Sequence, residues 1–127
     1  MATKIAVSNE YLFNVNESGS IEVFRYYDNV KGSLREIAAE KGFEYDPEWN
    51  TRQFGKKLID AFGDGDHAQI GVYFVKRLPS GSIESYRTYE NTKGALREVA
   101  EKVGFTYDPE WTTRQFGNKL IDFLNSK

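Results

Sequence analysis

Three five-residue words recur in this chain, each 62 residues after its first appearance. SGSIE at Ser18–Glu22 returns at Ser80–Glu84, YDPEW at Tyr45–Trp49 returns at Tyr107–Trp111, and TRQFG at Thr51–Gly55 returns at Thr113–Gly117. No gap is needed to align them, so one supersecondary unit is used twice. A unit of about 60 residues buries only roughly 60% of its unfolded surface and is marginal alone. The chain has no cysteine, so neither a disulfide nor a thiolate-bound metal is available as a staple. The two copies, residues 1–63 and 64–127, are therefore expected to share a core and pack as one compact globular unit. Eight Tyr, nine Phe and two Trp supply large side chains for that interior.

Within copy one, Lys4 to Val15 reads as a strand, Asn16 to Ser20 as a turn and Ile21 to Tyr27 as a second strand. Copy two repeats this with Gln69 to Leu78, a Pro79–Ser82 turn and Ile83 to Tyr89. Aromatic residues fall on both faces of Ile21–Tyr27, which implies that both faces are partly covered. A helix follows from about Val30 to Lys41, with a twin from about Thr92 to Val103. Asn29 and Asn91 are placed as N-caps, and Gly42 and Gly104 as left-handed stops. The second helix of each copy opens on a capping box, Asn50 with Gln53 and Thr112 with Gln115. Trp49 with Phe54, and Trp111 with Phe116, form hydrophobic staples. Gly55 and Gly117 sit inside these helices at a cost of about 1 kcal/mol relative to Ala, which suggests close approach of another backbone. The expected fold class is α+β: a tandem duplication of a β-β-α-α unit. Its antiparallel hairpins form a sheet covered by helices, with pseudo-twofold symmetry like a fused homodimer.

Net charge is −2 with both signs interspersed, which argues against a broadly basic nucleic-acid-binding surface but leaves room for a local basic patch. The opening Met-Ala-Thr-Lys has no apolar signal core and no apolar run is long enough for a bilayer. The expectation is a cytoplasmic protein without membrane contact.

No catalytic motif stands out. Asp46 and Glu48, with Asp108 and Glu110, flank a proline and fit a turn leading to a helix N-terminus better than an acid–base pair. Asp64, Asp66 and His67 lack the further oxygens of a calcium loop and the partners of a zinc site or a catalytic triad. Lys31-Gly32 and Lys93-Gly94 lack the rest of a phosphate loop, and Gly32 is expected to pack against the preceding strand. Arg25 and Arg87 with Tyr27 and Tyr89 could form a stacking face for single-stranded bases, but aromatic residues in strands fit core or cross-strand pairs better. Leu34–Gly42 and Leu96–Gly104 look like the opening of a helix-turn-helix, whose second helix would present Arg52, Gln53, Lys56 and Lys57 to DNA. Against this, Phe43–Trp49 is too long for the tight turn and Lys56 becomes Asn118 in copy two. The reading adopted from the sequence is a non-catalytic binding protein without a cofactor or metal, engaging a macromolecular partner, most naturally a protein. Nucleic acid, or a small molecule held between the repeats, is the alternative. The candidate surface is Arg52, Gln53, Lys56, Lys57, Arg114, Gln115 and Lys119, and local pairing of Arg52 with Glu48 or Asp46 is the competing role.

Overall fold

The computed structural model describes residues 4–8 and 10–126. In chain order the elements are β1 (Lys4–Ser8), β2 (Tyr11–Val15), β3 (Ile21–Tyr26), α1 (Val30–Lys41), α2 (Thr51–Phe62), β4 (His67–Ile70), β5 (Tyr73–Arg77), β6 (Ile83–Thr88), α3 (Thr92–Val103) and α4 (Thr113–Asn125). The repeated unit is thus β-β-β-α-α. The fold is α+β, with antiparallel strands covered by helices, as the sequence implies. The single long strand expected at each repeat start is instead a hairpin. In copy two the break falls at Gly71-Val72, with Gly71 at φ +59, a conformation that glycine adopts without strain. A two-residue turn of this kind reverses the chain and pairs His67–Ile70 with Tyr73–Lys76.

The helix signals read from the sequence hold in detail. Asn29 and Asn91 accept the N–H of Gly32 and Gly94. Both capping boxes are formed. Gly42 and Gly104 close their helices at φ +65 and +74. Trp49 packs 6.2 Å from Phe54 as the staple requires, and Tyr45 stacks on the same ring at 4.4 Å. Trp111, Phe116 and Tyr107 repeat the arrangement at 6.2 and 4.5 Å.

The compact units do not follow the repeat boundary. Unit 1 is Met1–Arg25 with Thr88–Lys127, and unit 2 is Tyr26–Arg87. Each unit therefore combines the strands of one copy with the helices of the other. In unit 1, β1-β2-β3 form an antiparallel meander, with Phe13 opposite Ala6 and Val23. Ala6, Tyr11, Phe13, Val15 and Val23 pack with Leu96, Val99 and Ala100 of α3 and with Phe116, Leu120 and Ile121 of α4. In unit 2, β4-β5-β6 form the equivalent meander. Ala68, Ile70, Tyr73, Val75 and Ile83 pack with Leu34, Ile37 and Ala38 of α1 and with Phe54, Leu58 and Ile59 of α2. Burying each of the larger of these side chains contributes about 1.5–3 kcal/mol. In β3, adjacent Val23 and Phe24 point to opposite faces and both are buried, so the strand is covered on both sides as its aromatic pattern implies.

The interior glycines of α2 and α4 mark the packing of helix on strand. A Cβ on Gly55 would run into the side chain of Ile83, and one on Gly117 into that of Ile21. The neighbour is an isoleucine side chain rather than the backbone that the sequence suggested. Similarly, what lies against Gly32 and Gly94 is the side chain of the capping asparagine, Asn29 or Asn91, not the preceding strand.

Candidate functional site

The β5–β6 turn of unit 2 is closed by two backbone bonds, Leu78 N–H to Ser82 O and Gly81 N–H to Leu78 O, each 2.8 Å. Gly81 sits at φ +93 and carries no side chain, so the arm of Arg52 from the first turn of α2 lies against it. The Arg52 guanidinium donates to Ser82 Oγ at 3.4 Å. Among the described residues Arg52 forms no salt bridge, so the competing role, local pairing with Glu48 or Asp46, is not seen. Asp46 Oδ1 instead accepts the Glu48 N–H at 2.9 Å within its own turn, and Asp108 does the same for Glu110.

Arg52, Gln53, Lys56, Arg77, Ser80 and Gly81 line a surface cavity of about 350 Å³. Its side walls come from α2 and from the end of β5, and none of these six residues carries a negative charge. Lys56 donates to Asp60 at 2.9 Å, which holds the Asp60 carboxyl below its ordinary value, with Arg77 and Lys57 adding to the effect. Arg77 itself forms no salt bridge among the described residues. It also borders a second cavity of about 500 Å³, lined by Asp66, His67, Lys76, Arg77, Leu78 and Pro79. Basic groups thus gather at one end of unit 2, with Asp60 and Asp66 beside them. The equivalent positions of unit 1 read Arg114, Asn118, Val15 and Asn14 in place of Arg52, Lys56, Arg77 and Lys76. Only the arginine on the helix is common to both.

The seven candidate surface residues are therefore divided. Arg52, Gln53 and Lys56 share the cavity. Lys57 lies over the Trp49 ring at 5.3 Å, and Lys119 over Trp111 at 5.4 Å. Arg114 lies against Gly19 in unit 1, and Gln115 caps its own helix by accepting the Thr112 N–H. Arg77 is absent from the candidates drawn from the sequence, all of which lie at the start of a second helix, whereas Arg77 ends a strand. The signal was a difference: an arginine where the other copy has Val15.

Other sequence candidates take structural places. Lys31 Nζ donates to the Trp49 carbonyl at 2.9 Å, and Lys93 Nζ to that of Trp111 at 3.0 Å, tying each first helix to the loop before the second. Tyr27 packs on Tyr73 at 5.7 Å and Tyr89 on Tyr11 at 5.5 Å. Arg25 and Arg87 lie over the rings of Tyr89 and Tyr73. Tyr11 donates to Glu98 at 3.0 Å. His67 faces Asp64 at 3.3 Å and Phe74 at 5.2 Å. Burial pushes the Asp64 carboxyl up, but N–H donation from His67 and Asp66 outweighs it and holds the group below its ordinary value. No group of three or more potential metal ligands occurs among the described residues. No helix among them is long and apolar enough to cross a membrane.

Comparison with protein-family models, with curated proteins and with solved structures finds no match for this chain.

Proposed function

We propose that this chain is a non-catalytic binding protein that engages an anionic segment of a partner protein through the basic end of unit 2. The observation that carries this reading is the cavity lined by Arg52, Lys56 and Arg77 without an acidic residue, in a chain of net charge −2. Cations concentrated in one place on an acidic surface steer one kind of partner and repel few. Arginine also brings planar, multidentate donors suited to such contacts.

Duplex DNA fits the same surface less well. Its binding needs several phosphate contacts along a tract. Here α4 carries Asn118 in place of Lys56, and Asp60 and Asp122 sit on the exposed sides of the two second helices. The test is fluorescence titration of the full chain with a labelled polyglutamate peptide and with random-sequence duplex DNA, at rising salt. The acidic peptide is expected to bind at low salt, to weaken as salt rises and to be lost in the Arg52→Glu/Arg77→Glu variant. Preferential duplex binding with a steep salt dependence would replace this reading by the nucleic-acid one. Absence of binding to either probe at low salt would remove it.

A further inference from the structure

Resting on that reading, we infer that the cavity between α2 and the β5–β6 turn of unit 2 takes a phosphomonoester dianion, a phosphorylated side chain of the partner. The argument lies in the number and direction of its donors. A carboxylate presents two oxygens in one plane and is satisfied by one arginine fork. A phosphomonoester presents three peripheral oxygens in a tetrahedral spread and carries nearly two charges at neutral pH. The cavity is bordered from three sources: Arg52 and Lys56 on α2, Arg77 at the end of β5, and the serine turn.

The hydrogen bonds already present leave donors over. Gln53 Oε1 accepts the Asn50 N–H at 3.0 Å in the capping box, so its Nε2 is the end free to donate. Ser80, which lines the cavity, gives its proton to Ser82 Oγ at 3.1 Å; Ser82 Oγ, beside the cavity, also accepts from Arg52 at 3.4 Å and keeps its own proton to give. Lys56 uses one of its three protons on Asp60. Arg52 and Arg77, neither of which forms a close salt bridge among the described residues although Arg77 lies near enough to act on Asp60, complete the set. At about 350 Å³ the cavity exceeds a bare phosphate and leaves room for the residue that bears it.

The test uses the full-length chain and one short glycine–alanine peptide made in three forms, with serine, phosphoserine or glutamate at its centre, beside inorganic phosphate. Amide and arginine Nε shifts in NMR titrations report the site, and thermal melts report the fold. The phosphoserine peptide is expected to bind at least tenfold tighter than the glutamate form and to shift the Gly81 and Ser82 amides. Its affinity should rise between pH 5 and 7.5, as the second phosphate proton leaves near pH 6. Arg52→Ala, or Arg77→Val (the residue unit 1 carries as Val15), should each weaken it about tenfold with an unchanged melting temperature. Equal binding of the phosphoserine and glutamate forms, lost in both variants, overturns the phosphate inference while the anionic-partner reading stands. Inorganic phosphate binding as tightly as the phosphopeptide overturns the tethered source and leaves a free phosphate ligand. If no probe shifts the site, both fall together.

Discussion

Where unit 2 buries a pair of serine hydroxyls, unit 1 buries an alanine and a valine. Ser85 on β6 donates to Ser33 on α1 at 2.7 Å, and Ser33 donates in turn to the Val30 carbonyl at 2.6 Å. The positions 62 residues away are Val23 on β3 and Ala95 on α3, both in the apolar core of unit 1. Each pair joins a strand of one copy to a helix of the other. Polar matches polar and apolar matches apolar only when the helices are exchanged between copies. A buried hydroxyl without a partner costs about 1–3 kcal/mol, so the two positions are bound to change together. The comparison teaches that the duplicated halves have drifted as crossed pairs rather than as repeats. The same drift produced the basic end of unit 2, since Lys56 and Arg77 come from different copies yet line one cavity.

The largest expected effect comes from cutting the chain. Residues 26–87 contain every member of the unit 2 core, whereas Met1–Gly63 holds the strands of one core and the helices of the other. The 26–87 fragment is expected to melt cooperatively, below the temperature of the full chain. Met1–Gly63 should be unfolded as a monomer and fold only as a dimer in which each chain's strands pack on the other's helices, weakened by Val23 meeting Ser33 in place of Ala95. Sedimentation equilibrium with circular dichroism decides. A stable monomer of Met1–Gly63 would undo the exchanged arrangement.

Next in size is Gly55→Ala, which places a methyl group on Ile83. Overpacking costs about 1–3 kcal/mol, partly offset by up to about 1 kcal/mol of better helix propensity. The net loss should shrink when Ile83→Ala is added, since the γ carbons of Ile83 are what the new methyl meets, and not when Ile21→Ala is added, because Ile21 lies against Gly117. Equal relief from both alanines in urea melts would contradict the crossed contacts.

A smaller effect belongs to the serines. Ser33→Ala leaves the Ser85 hydroxyl buried without its acceptor and should cost about 1–3 kcal/mol. Adding Ser85→Val recreates the apolar pair of unit 1 and should return most of it, a coupling of about 1 kcal/mol in a double-mutant cycle. Strict additivity would mean that the bond contributes nothing specific.

The smallest concerns alkaline pH. Burial, with Glu36 beside it, raises the Tyr73 hydroxyl to about 12. The unfolded phenol titrates near 10, so between roughly pH 10 and 12 the unfolded state binds fewer protons than the folded one. The stability that Tyr73 contributes is complete below pH 10 and is lost as pH rises through that window. Tyr73→Phe should flatten this part of the alkaline denaturation profile, and an unchanged slope would speak against a protonated, buried Tyr73.

Much of the local structure was legible in the sequence because its causes are local. Asn50 and Gln53, or Gly42 at the helix end, act on groups within a few residues of themselves. The hairpin break at Gly71-Val72 was missed because β-rich residues flank it closely on both sides, so one run looked continuous. The exchange of helices was hidden for a different reason. The stripe Phe54, Leu58, Ile59 is equally buried against either copy's strands, and periodicity carries no address. Only paired differences such as Ser33 with Ser85 carried that information. Of the candidate site, Arg52, Gln53 and Lys56 are legible as the polar start of the second helix, but Arg77 depends on where β5 ends in space.

The division into one continuous and one split unit sets an order on the ribosome. Every residue of the unit 2 core has been synthesised once Arg87 is added, whereas the unit 1 core must await α4. Domains fold as they emerge, at about 5–20 residues per second. Until α4 follows, Tyr11, Phe13 and Val15 lack the helices that bury them, and transiently exposed apolar surface of this kind is what chaperones serve to cover.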